Sequence, residues 1–341
     1  MTAGAGLVLA AQFDSRAALR AGAVTLPLIG LALLRNDTLW LQASLVTISL
    51  HIVREKVGLT PRGTLLQGLL IVAATAALLA ALAAPPLFVL LCALMAAAAN
   101  ASVARGTALR SLGNFTFIPA LYLACDSGEG HSGVGLLAAG LRLLPYCLAA
   151  LLPVLLLAGL EQRRLAASNL ARPWRLSYRA SFGPAAPALQ SALAVALAVG
   201  MAAWAVEHWA IVHGQWVIWS AASVVTGDVG TSPAKLHDRV LGALLGGPAG
   251  LLLGWLLPHQ PPVYGLAALA SVLTLVAFRH YLTAFATRCA CISLAAAAAN
   301  GTAGVAAERL ANVVLGGLLG LACVLAVHGA AALLLLGRRG K

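Results

Sequence analysis

The chain has 341 residues, of which 61% are hydrophobic and only 9% are charged, and its mean hydropathy is +0.93. A water-soluble globular domain carries about a quarter of its residues as charged side chains, so the composition excludes a soluble enzyme, a disordered regulator and a nucleic-acid-binding domain. In a membrane protein, the formal net charge of +12 first indicates which loops lie on the cytoplasmic side. The first expected partner is the lipid bilayer, and no nucleic acid is expected.

Apolar runs separated by charged or Pro/Gly clusters predict two groups of six membrane spans. A spanning helix needs about 20 apolar residues, so twelve spans leave room for short loops only. The first group lies at 17–34, 39–53, 64–84, 87–104, 112–124 and 134–160. The second group lies at 187–206, 214–227, 240–257, 262–278, 281–299 and 305–336.

The two groups look like copies of one another. Trp40 lies 176 positions before Trp216, and the Pro-Pro pair at 85–86 lies 176 positions before the pair at 261–262. Six spans return the chain to its starting side, so such a duplication gives two parallel repeats related by an axis along the membrane normal. The predicted fold is an all-α membrane protein with about twelve transmembrane helices. Its predicted parts are a first six-helix repeat over 1–160, a short cytoplasmic linker over 161–185 and a second six-helix repeat over 186–341.

Basic residues predict the orientation, because loops on the cytoplasmic side of a membrane carry an excess of Lys and Arg. Placing both termini in the cytoplasm puts most of the 22 basic residues inside and leaves only Arg35 clearly outside. The chain is therefore predicted to be a multi-pass membrane protein with both termini cytoplasmic.

A few arginines lie within the apolar segments instead of the loops. An arginine at the centre of a membrane helix costs about 2.5 to 3.5 kcal/mol, so these side chains need a partner, water or an anion. Guanidinium groups bind carboxylates through paired hydrogen bonds, which favours a passage for organic anions. The predicted pathway residues are Arg142, Arg288, Arg309 and Arg20, with Arg62 and Arg239 at the cytoplasmic mouth. The alternative for each is a position near the interface, where the side chain reaches lipid headgroups.

Glu308 is the one acid predicted near the depth of these arginines. It has two interpretations: it carries a coupling proton in an antiporter, or it pairs with a neighbouring arginine. Glu207, His208 and His213 have a spacing that could hold zinc, but a solvated outer loop is favoured, so no metal site is predicted. No nucleophile elbow, P-loop, HExxH sequence or glycine-rich nucleotide fingerprint occurs. No catalytic residue, cofactor or enzyme activity is therefore predicted.

Glycines recur at every fourth position in two of the predicted spans. They are Gly242, Gly246, Gly250 and Gly254 in one span, and Gly316 and Gly320 in another. This spacing places small residues on one helix face and predicts close helix packing there.

Two segments of the second half resemble a known family. His-Gly-Gln-Trp at 213–216 and the stretch at 223–232 are followed by Arg239, Gly242 and Gly246. These residues are similar to the Trp-led span and the Arg-x-x-Gly-Thr-x-x-Gly helix start of the fusaric acid resistance and aromatic acid exporter family, with Ala243 in place of Thr.

The closing helix carries the second motif. Arg309 to Gly316 resembles the family's Arg-x-x-Asp-Thr-x-x-Gly helix, with Asn312 for Asp and Val313 for Thr. The resemblance extends over roughly 185 to 330 and is weaker over 16 to 160.

The resemblance implies a bacterial inner-membrane protein that exports aromatic or other weak organic acids. It also implies a periplasmic adaptor and an outer-membrane channel as possible partners. Plant aluminium-activated malate transporters look like distant relatives, in which pairs of six-helix units form an anion channel. One chain with two such units could form a pore alone, so both a monomer and a homodimer are open.

Two alternatives to an exporter remain open. One is a passive organic-anion channel. The other, of a different class, is a non-transporting membrane scaffold in which the basic segment 161–179 serves as a docking site.

Overall fold

The protein is described here by a computed structural model, which covers residues 13–167, 175–179, 181, 189–225, 229–258, 260–298 and 304–339. Within these ranges the chain is helical, and strand-like pairing is confined to two isolated bridges, Phe13 with Phe278 and Leu59 with Ser177. The helices are α1 (Ser15–Arg35), α2 (Leu39–Val57), α3 (Pro61–Ala81), α4 (Pro85–Ala101), α5 (Arg110–Gly128), α6 (Val134–Ala149), α7 (Leu152–Ala167), α8 (Leu189–Trp209), α9 (Gln215–Val225), α10 (Ser232–Leu256), α11 (Pro261–Ala277), α12 (Tyr281–Ala298) and α13 (Gly304–Arg339).

The predicted all-helical fold is confirmed, and each of the twelve predicted spans has a helical counterpart. Helices α6 and α7 together form one apolar run, Val134–Leu165. The break between them at Ala150 and Leu151 comes just before Pro153, which lacks an N–H for the helical ladder. The arrangement as two parallel six-helix repeats stays a prediction.

Eight helical segments in the described part of the chain are long and apolar enough to cross a membrane. They are α1, α3, α4 with its 3₁₀ extension, the α6–α7 run, α8, α10, α12 and α13. Helices α9 and α11 are apolar but shorter. Helix α2 falls outside both groups and carries Arg54, Glu55 and Lys56 at its end, yet most of its residues are buried against other helices. A helix enclosed by protein can carry polar side chains that lipid would not accept.

The two halves of the chain contact each other mainly through two helix pairs, with smaller contacts of α11 with α2 and of α9 with α5. Helix α4 packs on α8, and α11 packs on α1. Small residues bring these helices together: a Cβ on Gly200 would lie 3.5 Å from the Ala93 Cβ, and one on Gly265 would lie 2.9 Å from the Leu33 Cδ2. We call these two contacts the α4–α8 seam and the α1–α11 seam.

The predicted linker begins as helix, because α7 continues to Ala167. A short piece of the linker then pairs with the turn between α2 and α3. The Thr60 N–H donates to the Leu176 carbonyl at 3.0 Å, and the Ser177 hydroxyl donates to the Val57 carbonyl at 2.9 Å. The rest of the predicted linker lies outside the described residues.

The glycine ladder packs α10 against α12, as the sequence predicts. A Cβ at Gly246 would lie 2.1 Å from the Ala286 carbonyl oxygen, and one at Gly250 would lie 2.1 Å from the Ala290 carbonyl oxygen. Gly316 in α13 approaches the Val217 carbonyl of α9 in the same way, at 2.0 Å. The close contact of α10 with α12 fixes the relative position of the arginines that these two helices carry.

Candidate functional site

A cavity of about 410 Å³ lies between the two halves of the chain. The first half contributes lining residues from α2, α4 and α5, and the second half contributes them from α8 to α12. Four basic side chains line it, and no Asp, Glu or His is among the lining residues. The basic residues are Lys235, Arg239, Arg279 and Arg288. We call this space the central cavity.

Arg239 is one of the two deeply buried cations of the central cavity, with 2% of its surface exposed. Its Nε donates to the Ser220 hydroxyl at 3.2 Å, and its Nη1 donates to the Tyr281 hydroxyl at 2.8 Å. The Phe285 ring lies 4.5 Å from the guanidinium carbon. These contacts hold the side chain by neutral groups, so its positive charge is not cancelled by a carboxylate among the described contacts.

Arg288 is the second buried cation, with 8% of its surface exposed. Its Nε donates to the Thr274 hydroxyl at 2.9 Å. The Trp219 ring centroid lies 5.9 Å from the Arg288 guanidinium and 6.0 Å from that of Arg239. Because both arginines face one indole ring and line one cavity, the structure brings two positive charges together. The two guanidinium charges repel each other, and nearby water or a bound anion reduces this repulsion.

Arg309 lies buried beside this pair but is not a lining residue of the central cavity. Its Nε donates to the Cys289 thiol at 3.3 Å, and the Trp216 ring lies 4.7 Å from its guanidinium. Its Nη1 is buried without a hydrogen-bond partner among the described residues. The Phe285 ring, which contacts Arg239, is also 5.9 Å from the Arg309 guanidinium.

The wall from the first half of the chain is polar but uncharged. Ser49, Asn100 and Asn114 line the cavity on that side, together with the aromatic rings of Phe115 and Phe117. The cavity is therefore asymmetric: the second half supplies its charge, and the first half supplies amides, a hydroxyl and apolar surface.

The remaining predicted pathway arginines lie elsewhere. Arg20 is exposed and forms ion pairs with Glu55 at 3.0 Å and with Glu161 at 2.8 Å. Arg142 is exposed on α6. Neither residue lines the central cavity.

Arg142 lies instead near Asp37, in the turn between α1 and α2. The Tyr146 hydroxyl donates to the Asp37 carboxylate at 2.6 Å. The pKa of Asp37 lies below its ordinary value, chiefly because of this hydrogen bond, with smaller contributions from the Leu39 N–H and the positive charge of Arg142; partial desolvation acts in the opposite direction.

The two residues predicted at the cytoplasmic mouth have different environments. Arg62 is exposed at the start of α3, whereas Arg239 is buried in the central cavity. The sequence prediction starts the third span of the second half at residue 240, but α10 begins at Ser232. Arg239 therefore lies two turns inside a helix instead of opening it.

Glu308 does not pair with an arginine in the described structure. Its carboxylate lies 3.0 Å from the Nδ1 of His213. His213 stacks on the Trp216 ring, with 4.7 Å between the ring centroids. Arg309 thus contacts the Trp216 ring directly, whereas Glu308 is linked to that ring through His213.

Sequence reasoning did not predict several lining residues. Lys235, Arg279, Asn100 and Trp219 are not among the predicted pathway residues, yet all four line the cavity. Trp219 lies between the two buried arginines. A pattern that could have indicated Asn100 is a lone amide within a long alanine-rich membrane segment, where a polar group needs a partner.

Comparison with protein families gives one match, to the family described as fusaric acid resistance protein-like, over residues 188–323. This segment is similar to that family. The resemblance predicted from Arg239, Gly242, Arg309 and Gly316 is thereby confirmed, since all four lie within the matched residues. Comparisons with curated proteins and with solved structures find no match.

The matched segment carries Arg239, Arg288 and Arg309. The family match and the apolar helices together indicate a multi-pass membrane protein of a transporter family.

Proposed function

We propose that this protein moves organic anions, most readily aromatic carboxylates, across a bacterial inner membrane through the central cavity. The observation that carries the proposal is the pairing of Arg239 and Arg288 around the Trp219 ring, in a cavity whose lining residues include no carboxylate. An anion that enters this space offsets the buried positive charge of the two arginines, which no carboxylate of the cavity lining neutralises.

The size and chemistry of the cavity suit a small aromatic acid. Small-molecule sites occupy about 300 to 1,000 Å³ and combine apolar surface with a few directed polar groups, and the central cavity has about 410 Å³. Guanidinium groups bind the carboxylate of such a ligand, while Trp219, Phe115 and Phe117 offer surface to its ring.

The remaining arginine extends this pathway on one side. Arg309 lies near the N-terminal end of α13, and Lys235 and Arg279 lie at the start of α10 and just before α12. In the proposed topology α13 crosses the membrane in the direction opposite to α10 and α12, so its N-terminal end would lie on the other side. With both termini in the cytoplasm, Lys235 and Arg279 would gather anions inside, Arg239 and Arg288 would hold them, and Arg309 would lie toward the outer side. Arg20, Arg62 and Arg142 are not part of this proposed route.

The proposed architecture is a pair of parallel six-helix repeats. The reciprocal packing of α4 on α8 and of α11 on α1 supports it, because a two-fold axis along the membrane normal would exchange these two contacts. The central cavity would then lie between the repeats of one chain. A periplasmic adaptor and an outer-membrane channel would be partners for delivery beyond the periplasm.

A second candidate is a passive organic-anion channel. It is favoured because neither a carboxylate nor an imidazole is among the lining residues of the central cavity, so no lining group there is suited to carry a coupled proton. Glu308 with His213 is the proton-carrying alternative, outside that lining.

Flux measurements on the purified full-length chain in proteoliposomes test the proposal. The probe is radiolabelled 4-hydroxybenzoate, with protein-free vesicles as the blank and with an imposed proton gradient present or absent. We expect flux above the blank, and a loss of about tenfold or more in Arg288→Gln and in Arg239→Gln, since each removes a charged hydrogen-bond donor to the anion. Arg142→Gln is the matched control and should keep its flux within about twofold.

The outcomes distinguish a channel, an antiporter and a protein that does not transport anions. Flux that follows the membrane potential without a proton gradient supports the channel, and flux that requires the gradient supports the antiporter. No flux from the wild-type chain, or full flux from Arg288→Gln, would contradict an arginine-lined anion pathway. The first of these outcomes is what a membrane scaffold predicts.

A further inference from the structure

Asn100 is a buried amide that faces the central cavity from the first half of the chain. It lies at the end of α4, has 3% of its surface exposed and lines the cavity. Its Nδ2 is buried without a hydrogen-bond partner among the described residues. An amide that loses water without gaining a partner costs free energy of folding, about 1 to 3 kcal/mol per group.

Its position is fixed by close packing. A Cβ on Gly113 would lie 2.3 Å from the Ala99 Cα, so α4 and α5 meet at backbone distance one residue before Asn100. This contact fixes the backbone at Asn100 in the wall of the cavity. The Asn100 Nδ2 has no hydrogen-bond partner among the described residues that line or surround it.

The charged groups of the cavity come from the other half. Arg239 and Arg288 lie on α10 and α12, whereas Asn100 lies on α4. A cavity of about 410 Å³ is small enough for one ligand to contact both walls. A carboxylate bound by the two arginines would leave the rest of the ligand to meet the uncharged wall.

From these observations we propose that Asn100 is a specificity-determining residue, whose Nδ2 donates a hydrogen bond to a second oxygen of the transported anion. This inference rests on the proposed function and adds a requirement to it. The preferred substrate is an anion with two separated polar groups: a carboxylate for the arginines, and a hydroxyl, carbonyl or second carboxylate for Asn100. A site built to bond a polar substituent discriminates against the analogue that lacks it, because its own buried donor then stays unpaired.

The test compares two ligands of nearly the same size in one preparation. The purified full-length chain is reconstituted in proteoliposomes, and fluxes of benzoate and 4-hydroxybenzoate are measured with different isotopes in the same vesicles. The measured quantity is the ratio of the two fluxes, which does not depend on how much protein is correctly inserted. We expect the wild-type chain to favour 4-hydroxybenzoate by about tenfold, the magnitude of one net hydrogen bond.

Three variants locate the effect. Asn100→Leu keeps the shape of the side chain and removes both polar groups, so the flux ratio should fall to about one. Asn100→Gln keeps the amide on a longer stem and should retain part of the preference. Asn114→Leu changes the same residue type in the same cavity, at a half-buried position, and should lower the ratio less than Asn100→Leu does.

The inference is overturned if the wild-type chain moves both anions at equal rates, or if Asn100→Leu keeps the wild-type ratio. An equal fall in Asn100→Leu and Asn114→Leu would also overturn it, since general polarity of the wall would then explain the preference. These outcomes differ from failure of the proposed function, in which neither anion moves above the protein-free blank.

Discussion

The backbone of Gly246 lies directly against Ala286, at a point where a Cβ on residue 246 would stand 2.1 Å from the Ala286 carbonyl oxygen. This contact joins α10 to α12 and therefore sets the position of Arg239 relative to Arg288. No rotamer change can relieve such an overlap, because the backbone fixes the position of a Cβ and the oxygen that it meets is a backbone atom. The helices themselves must separate to accept a side chain.

We expect Gly246→Val to lower the thermal midpoint of the detergent-solubilised protein and to abolish anion flux. Overpacking of a tight contact costs typically 1 to 3 kcal/mol, and more where backbone has to move. Gly30→Ala is the matched control, because a Cβ at Gly30 in α1 meets nothing within 4 Å. An unchanged midpoint in Gly246→Val would contradict the close packing of α10 on α12.

Replacement of Arg309 by an apolar side chain should reduce anion flux without reducing the stability of the fold. Its guanidinium is buried with a thiol and two aromatic rings around it and one nitrogen unpartnered. A single buried charge carries a desolvation penalty of several kcal/mol that an apolar side chain of similar length does not. We therefore expect Arg309→Met to keep or raise the thermal midpoint and to lose anion flux.

The control for this experiment is Arg309→Lys, which keeps the charge but not the planar group that stacks on Trp216. It should retain part of the flux. If Arg309→Met transports normally, Arg309 is a structural residue and lies off the route.

A second arginine group, on the other half of the chain, is structural. Arg54 is buried, pairs with Glu161 across α2 and α7, and contacts Glu55 at 3.1 Å. Glu161→Gln leaves the buried guanidinium with one carboxylate. Loss of a partner from a buried pair costs about 3 to 5 kcal/mol, and because Glu161 is 35% exposed we expect about 2 kcal/mol here.

Chemical unfolding in detergent measures this loss, and anion flux from the folded fraction should be unchanged. Glu129→Gln provides the control, since Glu129 is exposed and forms no ion pair among those of the described residues. Equal stability of the two variants would argue against the Arg54–Glu161 contact.

The Asp37–Tyr146 hydrogen bond should stabilise the fold at neutral pH and lose this effect in acid. A carboxyl with a lowered folded-state pKa stabilises the fold above its unfolded pKa, near pH 4, and loses this contribution as the pH falls through the folded value. Tyr146→Phe removes the hydroxyl donor. Its thermal midpoint should lie below that of the wild-type chain at pH 7, and the difference should shrink as the pH is lowered toward 3.

Apolar patterning predicts the helices because lipid-facing and protein-facing residues are both apolar over the length of a span. The glycine spacing likewise predicts which face of α10 packs closely, and the structure shows that its partner is α12. What patterning cannot give is the direction in which a side chain points. Arg62 and Arg239 occupy matching places in the two halves of the sequence, yet one is exposed and the other is buried, because α10 begins two turns earlier than predicted.

The same limit applies to Arg142 and Arg309, which the repeat places in corresponding spans. Arg309 lies inside the bundle on Trp216, whereas Arg142 lies on the outer surface near Asp37. Long-range partners decide these outcomes, and the sequence of one helix does not contain them. Arg20 is a further case, since its carboxylate partners Glu55 and Glu161 come from two other helices.

The two seams between the halves limit how the central cavity can change its width. Both seams border it, through Ala96 on α4, Val195 on α8 and Leu275 on α11. A hinge that opened one side would have to separate helices that are in van der Waals contact through small residues, as at Gly200 and Ala93. Sliding of α8 along α4, together with α11 along α1, keeps both contacts intact. We therefore expect any change in the width of the cavity to occur by shear of a few ångströms.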